Sequence, residues 1–319
     1  MSAPAQISQD PTTVAEIATR PKRRQSSSRP AWEEAPHPVA TVLKVLLLSA
    51  IVAAIVAPLW MVVVTSLSTQ ETVNNAGGMV LIPDGLTLSA YRRILAGGVV
   101  TRAVGVSILI TSVGTAIALT VSIMAAYALS KPTMPGHRPL LFLFLMTMFF
   151  SAGIIPNYLL ISNLGLLNNL WALILPGTVS AFNIVILRSF FMNLDQGILD
   201  AARIDGAGEG RILAALVIPL SKAVIAVVGL FYGVGYWNSF FSAMLYLNES
   251  AKWPLQLVLR AYVLQGQQTA EVDMSEVAAV AETSMQMAIV VCALIPILLV
   301  YPFIQRHFRS GVLIGAVKG

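Results

Sequence analysis

Side chains able to do chemistry are scarce in this sequence, and they lie in the wrong places for catalysis. An intramembrane acid–base enzyme or a proton-coupled carrier needs a titratable group at bilayer depth, where such groups are costly and are kept for a purpose. The long apolar runs contain essentially none; Arg188 and Lys222 sit near run ends, where their charged heads can reach water. The histidines, His37, His137 and His307, fall outside the runs, so a metal site or histidine relay has almost nothing to work with. The single cysteine, Cys292, excludes an intramolecular disulfide, and inside an apolar run it reads as a buried, inert thiol. No GxxxxGK[ST] phosphate loop occurs, so any ATP hydrolysis that drives this chain belongs to a partner.

Two polar groupings remain. The first is residues 195–219, DQGILDAARIDGAGEGRILAALVIP, which is polar without being loop-like. Residues 195–205 have helical composition, with Leu199, Ala201, Ala202 and Ile204 among charged neighbours. Gly206 follows, a residue able to take the left-handed conformation that ends a helix, and a second helical stretch runs through Arg211 and Ile212 to Pro219. Two helices about a glycine hinge form a docking surface more readily than a simple connection. The second grouping is neutral: Tyr232, Tyr236, Trp237 and Asn238 in GLFYGVGYWNSFF, with Pro176, Gly177, Ser180 and Asn183 in the preceding run. Aromatic faces with neutral hydrogen-bonding groups suit a saccharide path. The GxxxG spacing of Gly229 and Gly233 equally marks close helix packing, and Trp and Tyr gather at membrane interfaces for unspecific reasons. Both readings stand at this point.

The elements that must position these groups are membrane helices. Hydrophobic residues make up 56% of the 319 positions and charged residues 11%, against about a quarter charged in soluble chains. Mean hydropathy is +0.77, more apolar surface than a core can absorb, so lipid is the solvent for most of the chain. Residues 1–40, rich in Pro, Ser, Thr and charge around PKRRQSSSRP, read as a disordered basic tail and topology anchor; the position of this cluster and the long run after it speak against a secretory signal. Six runs then approach the roughly 20 residues that cross a hydrocarbon core: 42–67, 104–129, 140–160, 170–192, 221–247 and 284–303. The stretch GLTLSAYRRIL after the first run reads as a short surface helix capped by Thr87 or Ser89. Six spans place both termini on one side, and 15 of the 20 Lys and Arg residues fall on that side together with residues 195–219. The positive-inside rule makes that side the cytoplasm.

The pattern [DE]AAxxDGA followed by a closing proline resembles the EAA loop of binding-protein-dependent ABC importers. Here it reads Asp200-Ala201-Ala202-Arg203-Ile204-Asp205-Gly206-Ala207 and closes at Ile218-Pro219-Leu220, with Asp200 where many members carry Glu. KWPLQLVLR, GYWNSFFSAMLYLN and the tail GVLIGAVKG are similar to the second membrane subunit of carbohydrate importers of the maltose type, in the branch handling aldouronate, alginate and other oligosaccharides. The resemblance covers about residues 41–319 and implies an all-α, type I importer permease fold of six transmembrane helices, with a core at about 102–305. It implies that Asp200, Ala201, Ala202, Asp205, Gly206 and Ala207 seat the loop in a cleft of a cytoplasmic ATPase; in maltose-type relatives the C-terminal tail reaches the ATPase dimer, so residues 307–319 read either as that contact or as a simple cytoplasmic tail. ATP would be bound by that partner, with no cofactor in this chain. The implied partners are a homologous permease, two ATPase copies and an extracytoplasmic binding protein docking on the outer segments 74–98 and 248–282. A saccharide is the implied solute. A permease for amino acids or peptides would share the loop, but the carboxylate-free runs and KWPLQ weigh against it; an intramembrane enzyme is remote, since no embedded acid, base or nucleophile pair exists.

Overall fold

The computed structural model describes residues 38–96, 98–264 and 283–316, and every regular element among them is helical. The basic tail and the acidic part of the 248–282 segment lie outside the described residues, apart from 38–40 and 248–264. The chain divides into two units after Ile55. The first holds the start of α1 (Pro38–Ser66), where the large apolar side chains from Val39 to Ile55 are all exposed. A helix apolar on every side is suited to lipid rather than to water.

In the second unit, the short α2 (Gln70–Asn75) is capped by Thr69, whose hydroxyl accepts from the Thr72 N–H. Next comes α3 (Ser89–Leu95), and Thr87 contributes at its start by accepting from the Ser89 N–H at 3.2 Å. Its N-cap is Leu88, so neither Thr87 nor Ser89 occupies the cap position itself. The long α4 (Val99–Leu129) is the second expected span, and it begins five residues earlier than apolarity alone indicates.

The middle runs are not straight helices. The third divides into α5 (His137–Phe149) and α6 (Ile154–Asn163), at 116° to one another, where Gly153 takes φ 85°. The fourth bends by 45° between Trp171–Gly177 (α7) and α8 (Ala181–Met192). Pro176 supplies the bend and the Ser180 hydroxyl caps α8 through the Asn183 N–H. The fifth splits into α11 (Lys222–Trp237) and α12 (Phe240–Tyr246), interrupted at Asn238 and Ser239. After α13 (Leu255–Leu264), α14 (Thr283–Ala316) continues past the expected end of the last run. Cys292 on α14 is half-buried rather than fully enclosed. Among the described residues, two helices, α1 and α4, are unbroken, long and apolar enough to cross a membrane.

The core of the second unit is an antiparallel seam between α4 and α11. A Cβ on Gly229 would lie 3.6 Å from Leu119 Cδ2, and one on Gly233 would lie 3.6 Å from Thr115 Oγ1. One turn along, Gly114 leaves no room at all: a Cβ there would fall 2.8 Å from ring atoms of Tyr236. Gly114, Ala118 and Ser122 are all buried at four-residue spacing, so α4 presents a small-residue stripe that admits the aromatic side chains of α11.

The end of the bundle remote from residues 195–208 is closed differently. Among the described residues, Asn168 is the only non-glycine with positive φ, 57°. Its N–H donates to the Tyr246 carbonyl at 2.7 Å and its side-chain amide donates to Glu249. Its side-chain oxygen accepts from the Glu249 N–H at 3.2 Å, and its backbone carbonyl accepts from Lys252 Nζ at 2.8 Å. Asparagine tolerates the left-handed region because its short polar side chain bonds locally, and here every polar group of the residue ties the 164–170 turn to the 247–252 turn.

Candidate functional site

The sequence around residue 200 builds its shape from backbone rules. Asp195 caps α9 (Gln196–Ile204), its Oδ1 accepting from the Gly197 N–H at 2.8 Å. At the other end Gly206 adopts φ 79°, the Gly206 N–H reaches the Arg203 carbonyl at 3.0 Å, and the Ala207 N–H reaches the Ala202 carbonyl at 2.9 Å. This pair of backward bonds is a Schellman closure, which satisfies two carbonyls the helix end would otherwise leave free. Gly208 then starts α10 (Glu209–Leu220), which opens into a π-helical turn at Leu213–Val217 and meets α11 at a bend of 86°.

The α9 helix is divided by face. Leu199 alone among Gln196–Ile204 is buried, and Ala202 is half-buried. Ile204 is 86% exposed, and Ile198, Asp200, Ala201, Asp205 and Gly206 are exposed with it. An apolar side chain as exposed as Ile204, beside two alanine-sized positions and two carboxylates, is the makeup of a surface that another protein covers.

Behind this helix lies an open cleft of about 420 Å³, whose lining includes Phe191, Leu199 and Val217 together with Lys131, Arg203 and Glu209. Glu209 bridges it. Its Oε2 accepts from the Tyr127 hydroxyl and pairs with the Lys131 ammonium, while its Oε1 lies 3.5 Å from Arg203 Nε. Arg203 Nη1 in turn donates to Asp200 Oδ1 at 2.6 Å, and Lys131 Nζ stands 4.2 Å from the centroid of the Tyr127 ring. The Lys131 hydrogen bond, then that of Tyr127, holds the Glu209 carboxyl below its usual range. Asp200 raises the Arg203 guanidinium further above its already high value. Arg188 is half-buried and has a protein partner. Its Nε donates to the Leu129 carbonyl at 2.8 Å and closes the C-terminus of α4, where a cation is also favoured by the helix dipole.

The loop residues Asp200, Ala201, Ala202, Asp205, Gly206 and Ala207 therefore lie together on one short turn and its closure. The neutral grouping is placed differently. Tyr232, Tyr236, Trp237 and Asn183 are buried, whereas Asn238 is exposed. The hydroxyls of Tyr232 and Ser122 share a 2.6 Å hydrogen bond, and Tyr232 also accepts from the Ser180 N–H at 3.2 Å. Tyr236 donates to the Ile174 carbonyl at 2.9 Å, Trp237 Nε1 to the Ala293 carbonyl at 3.1 Å, and the Asn238 amide back to Val234 at 2.9 Å. The polar ends of Tyr232, Tyr236 and Trp237 thus connect helices to one another, while Asn238 closes the end of its own helix. Sequence reasoning missed the Glu209 hub, because Tyr127 and Lys131 lie about 80 residues before it. The available signal was an acidic residue at the first position of a helix that starts after a glycine.

Helices of this apolarity are those of a membrane-embedded protein, and the capped two-helix loop presents an exposed face beside them. Residues 118–314 match the family described as binding-protein-dependent transport system inner membrane component. The chain is 43% identical over 266 residues to the polygalacturonan/rhamnogalacturonan transport system permease protein of Bacillus subtilis, covering 83% of this chain and 93% of that protein. It is 42% identical over 282 residues to protein LplC of the same organism, covering 88% of this chain and 95% of that protein. A solved structure, of a bacterial ABC transporter involved in the import of the acidic polysaccharide alginate, superimposes with a TM-score of 0.78 at 30% identity, over 86% of this chain and all of that one. The chain belongs to the family of binding-protein-dependent transport system inner membrane components and has the fold of an ABC importer permease.

Proposed function

We propose that this chain is one permease subunit of an ATP-driven importer that brings an oligosaccharide across the cytoplasmic membrane. Its loop at residues 195–219 would couple it to a separate ATPase. In this reading the chain crosses the membrane six times, with the broken runs counted as spans, and both termini and the loop face the cytoplasm. The partners are a homologous permease, two ATPase subunits that bind the nucleotide, and an extracytoplasmic binding protein. The similar permease of Bacillus subtilis and the similar alginate importer both serve acidic polysaccharides, so oligouronates are the first solutes to test. Within the spans, Asn238 is kept as a residue facing the solute path, and Asn183, Tyr232, Tyr236 and Trp237 as the wall behind it.

The observation that carries the coupling role is the exposed face of α9, with Ile198 and Ile204 outward and Gly206 fixing the return of the chain. The ATPase would grip this face, and closure of the ATPase pair would carry the helix and α10 with it. Coupling then requires the ATPase states to differ in affinity for the two permease conformations. Gly206→Pro tests it. Proline fixes φ near −65° and has no N–H, so it loses both the left-handed turn and the bond to Arg203. In proteoliposomes containing all subunits, this variant is expected to assemble with the second permease yet to hydrolyse ATP without uptake. Wild-type uptake by Gly206→Pro would overturn the coupling role, and a chain that transports alone, without an ATPase, would overturn the whole reading.

A further inference from the structure

We infer that Glu209 is a positioning residue that makes α9 and the end of α4 move as one piece, an inference that rests on the coupling role proposed above. Packing does not seat α9 firmly: one buried side chain, Leu199, anchors it, and the 420 Å³ cleft lies behind it. The polar chain that closes the gap runs Asp200, Arg203, Glu209, then Lys131 and Tyr127. Its first member stands on the exposed face of α9. Its last, Tyr127, is buried at the end of α4, the helix whose small-residue stripe meets α11.

An isolated surface ion pair would be too weak and too mobile for this task. Glu209 differs because three groups from two separate stretches meet one carboxylate, which fixes both of its oxygens at once. The aromatic ring of Tyr127 also stands against the Lys131 ammonium, so two of those three partners are held by each other as well. A displacement of α9 is thus passed to α4 through Glu209 rather than being taken up by the cleft.

The test is uptake per ATP hydrolysed in proteoliposomes of the complete transporter, comparing Glu209→Gln, Lys131→Gln, the double variant, and the exchanged pair Glu209→Lys with Lys131→Glu. Each single variant is expected to lower uptake per ATP about five- to tenfold, with the same amount of ATPase co-purified. The double variant should be no worse than either single one, because both remove the same link. The exchanged pair should recover part of the loss, which a mere folding defect in the single variants would not allow. Unchanged uptake per ATP in Glu209→Gln, or losses that simply multiply in the double variant, would overturn the inference. If Gly206→Pro uncouples while Glu209→Gln does not, the positioning role fails and the coupling role survives. If neither variant uncouples, both fail.

Discussion

The α4–α11 seam and the 195–209 loop hold their helices by opposite means. In the seam, glycine and alanine remove volume so that backbones approach, aromatic side chains fill the space, and the hydroxyls of Ser122, Tyr232 and Tyr236 are paired inside the protein. In the loop, one leucine is buried and the remaining connection is a set of half-exposed charges around Glu209. Shape fixes the first region and electrostatics the second. A region fixed by shape is bistable at best, because packed surfaces do not deform continuously. A region fixed by exposed charge can yield and re-form at low cost, which suits a part that must follow a partner.

Four measurements separate these two kinds of connection. The largest effect is expected for Tyr236→Ala, which empties the space against Gly114 and Gly177 and leaves the Ile174 carbonyl with the Thr178 hydroxyl as its side-chain donor. A lost aromatic in a close-packed core costs about 3–5 kcal/mol, so thermal unfolding of the assembled complex should shift down sharply. Gly114→Val drives a side chain into the Tyr236 ring and should cost about 1–3 kcal/mol by overpacking, relieved when it is combined with Tyr236→Leu. If the double variant is no more stable than Gly114→Val, the seam is not set by that contact.

The smallest effect in stability belongs to the Glu209 hub, and conditions distinguish it best. Its carboxyl titrates below the usual glutamate range in the folded chain. The contribution of the hub is therefore complete above that range, near pH 4.5, and is lost as pH falls through the lower folded value. Uptake per ATP should be unaffected by this group from neutral pH down to the ordinary glutamate value near pH 4.5, and should fall only as pH drops further through the lowered folded value. Salt at about 1 M, where charges are screened beyond roughly 3 Å, should weaken coupling while leaving the unfolding temperature of the seam variants unchanged. Equal salt sensitivity in both regions would remove the distinction between them.

The sequence shows the loop plainly, because its signals are local. An N-cap aspartate, a run of helix formers and a glycine in the left-handed region lie within 12 residues, and the structure closes them as backbone chemistry requires. The first two membrane runs are equally legible from apolarity and length. The breaks are not. Apolarity reports what solvent a segment prefers and says nothing of whether its axis continues, so Gly153 and the Asn238–Ser239 interruption are invisible to it. The dual reading of Tyr232, Tyr236 and Trp237 has a related origin: residue type gives their chemistry, while the partner of each hydroxyl or indole N–H is set by a helix 50 to 110 positions away.

The 86° corner at Ser221 has a mechanical meaning. The 12 residues of α10 extend about 18 Å from it at the helical rise of 1.5 Å per residue. Because α10 stands nearly perpendicular to α11, it has the geometry of a crank arm. A force on its far end, where Glu209 sits, becomes torque about the long axis of α11, and each 10° of roll corresponds to roughly 3 Å of travel at the tip. A roll of α11 about its axis would slide Tyr232 and Tyr236 sideways across the small-residue stripe of α4.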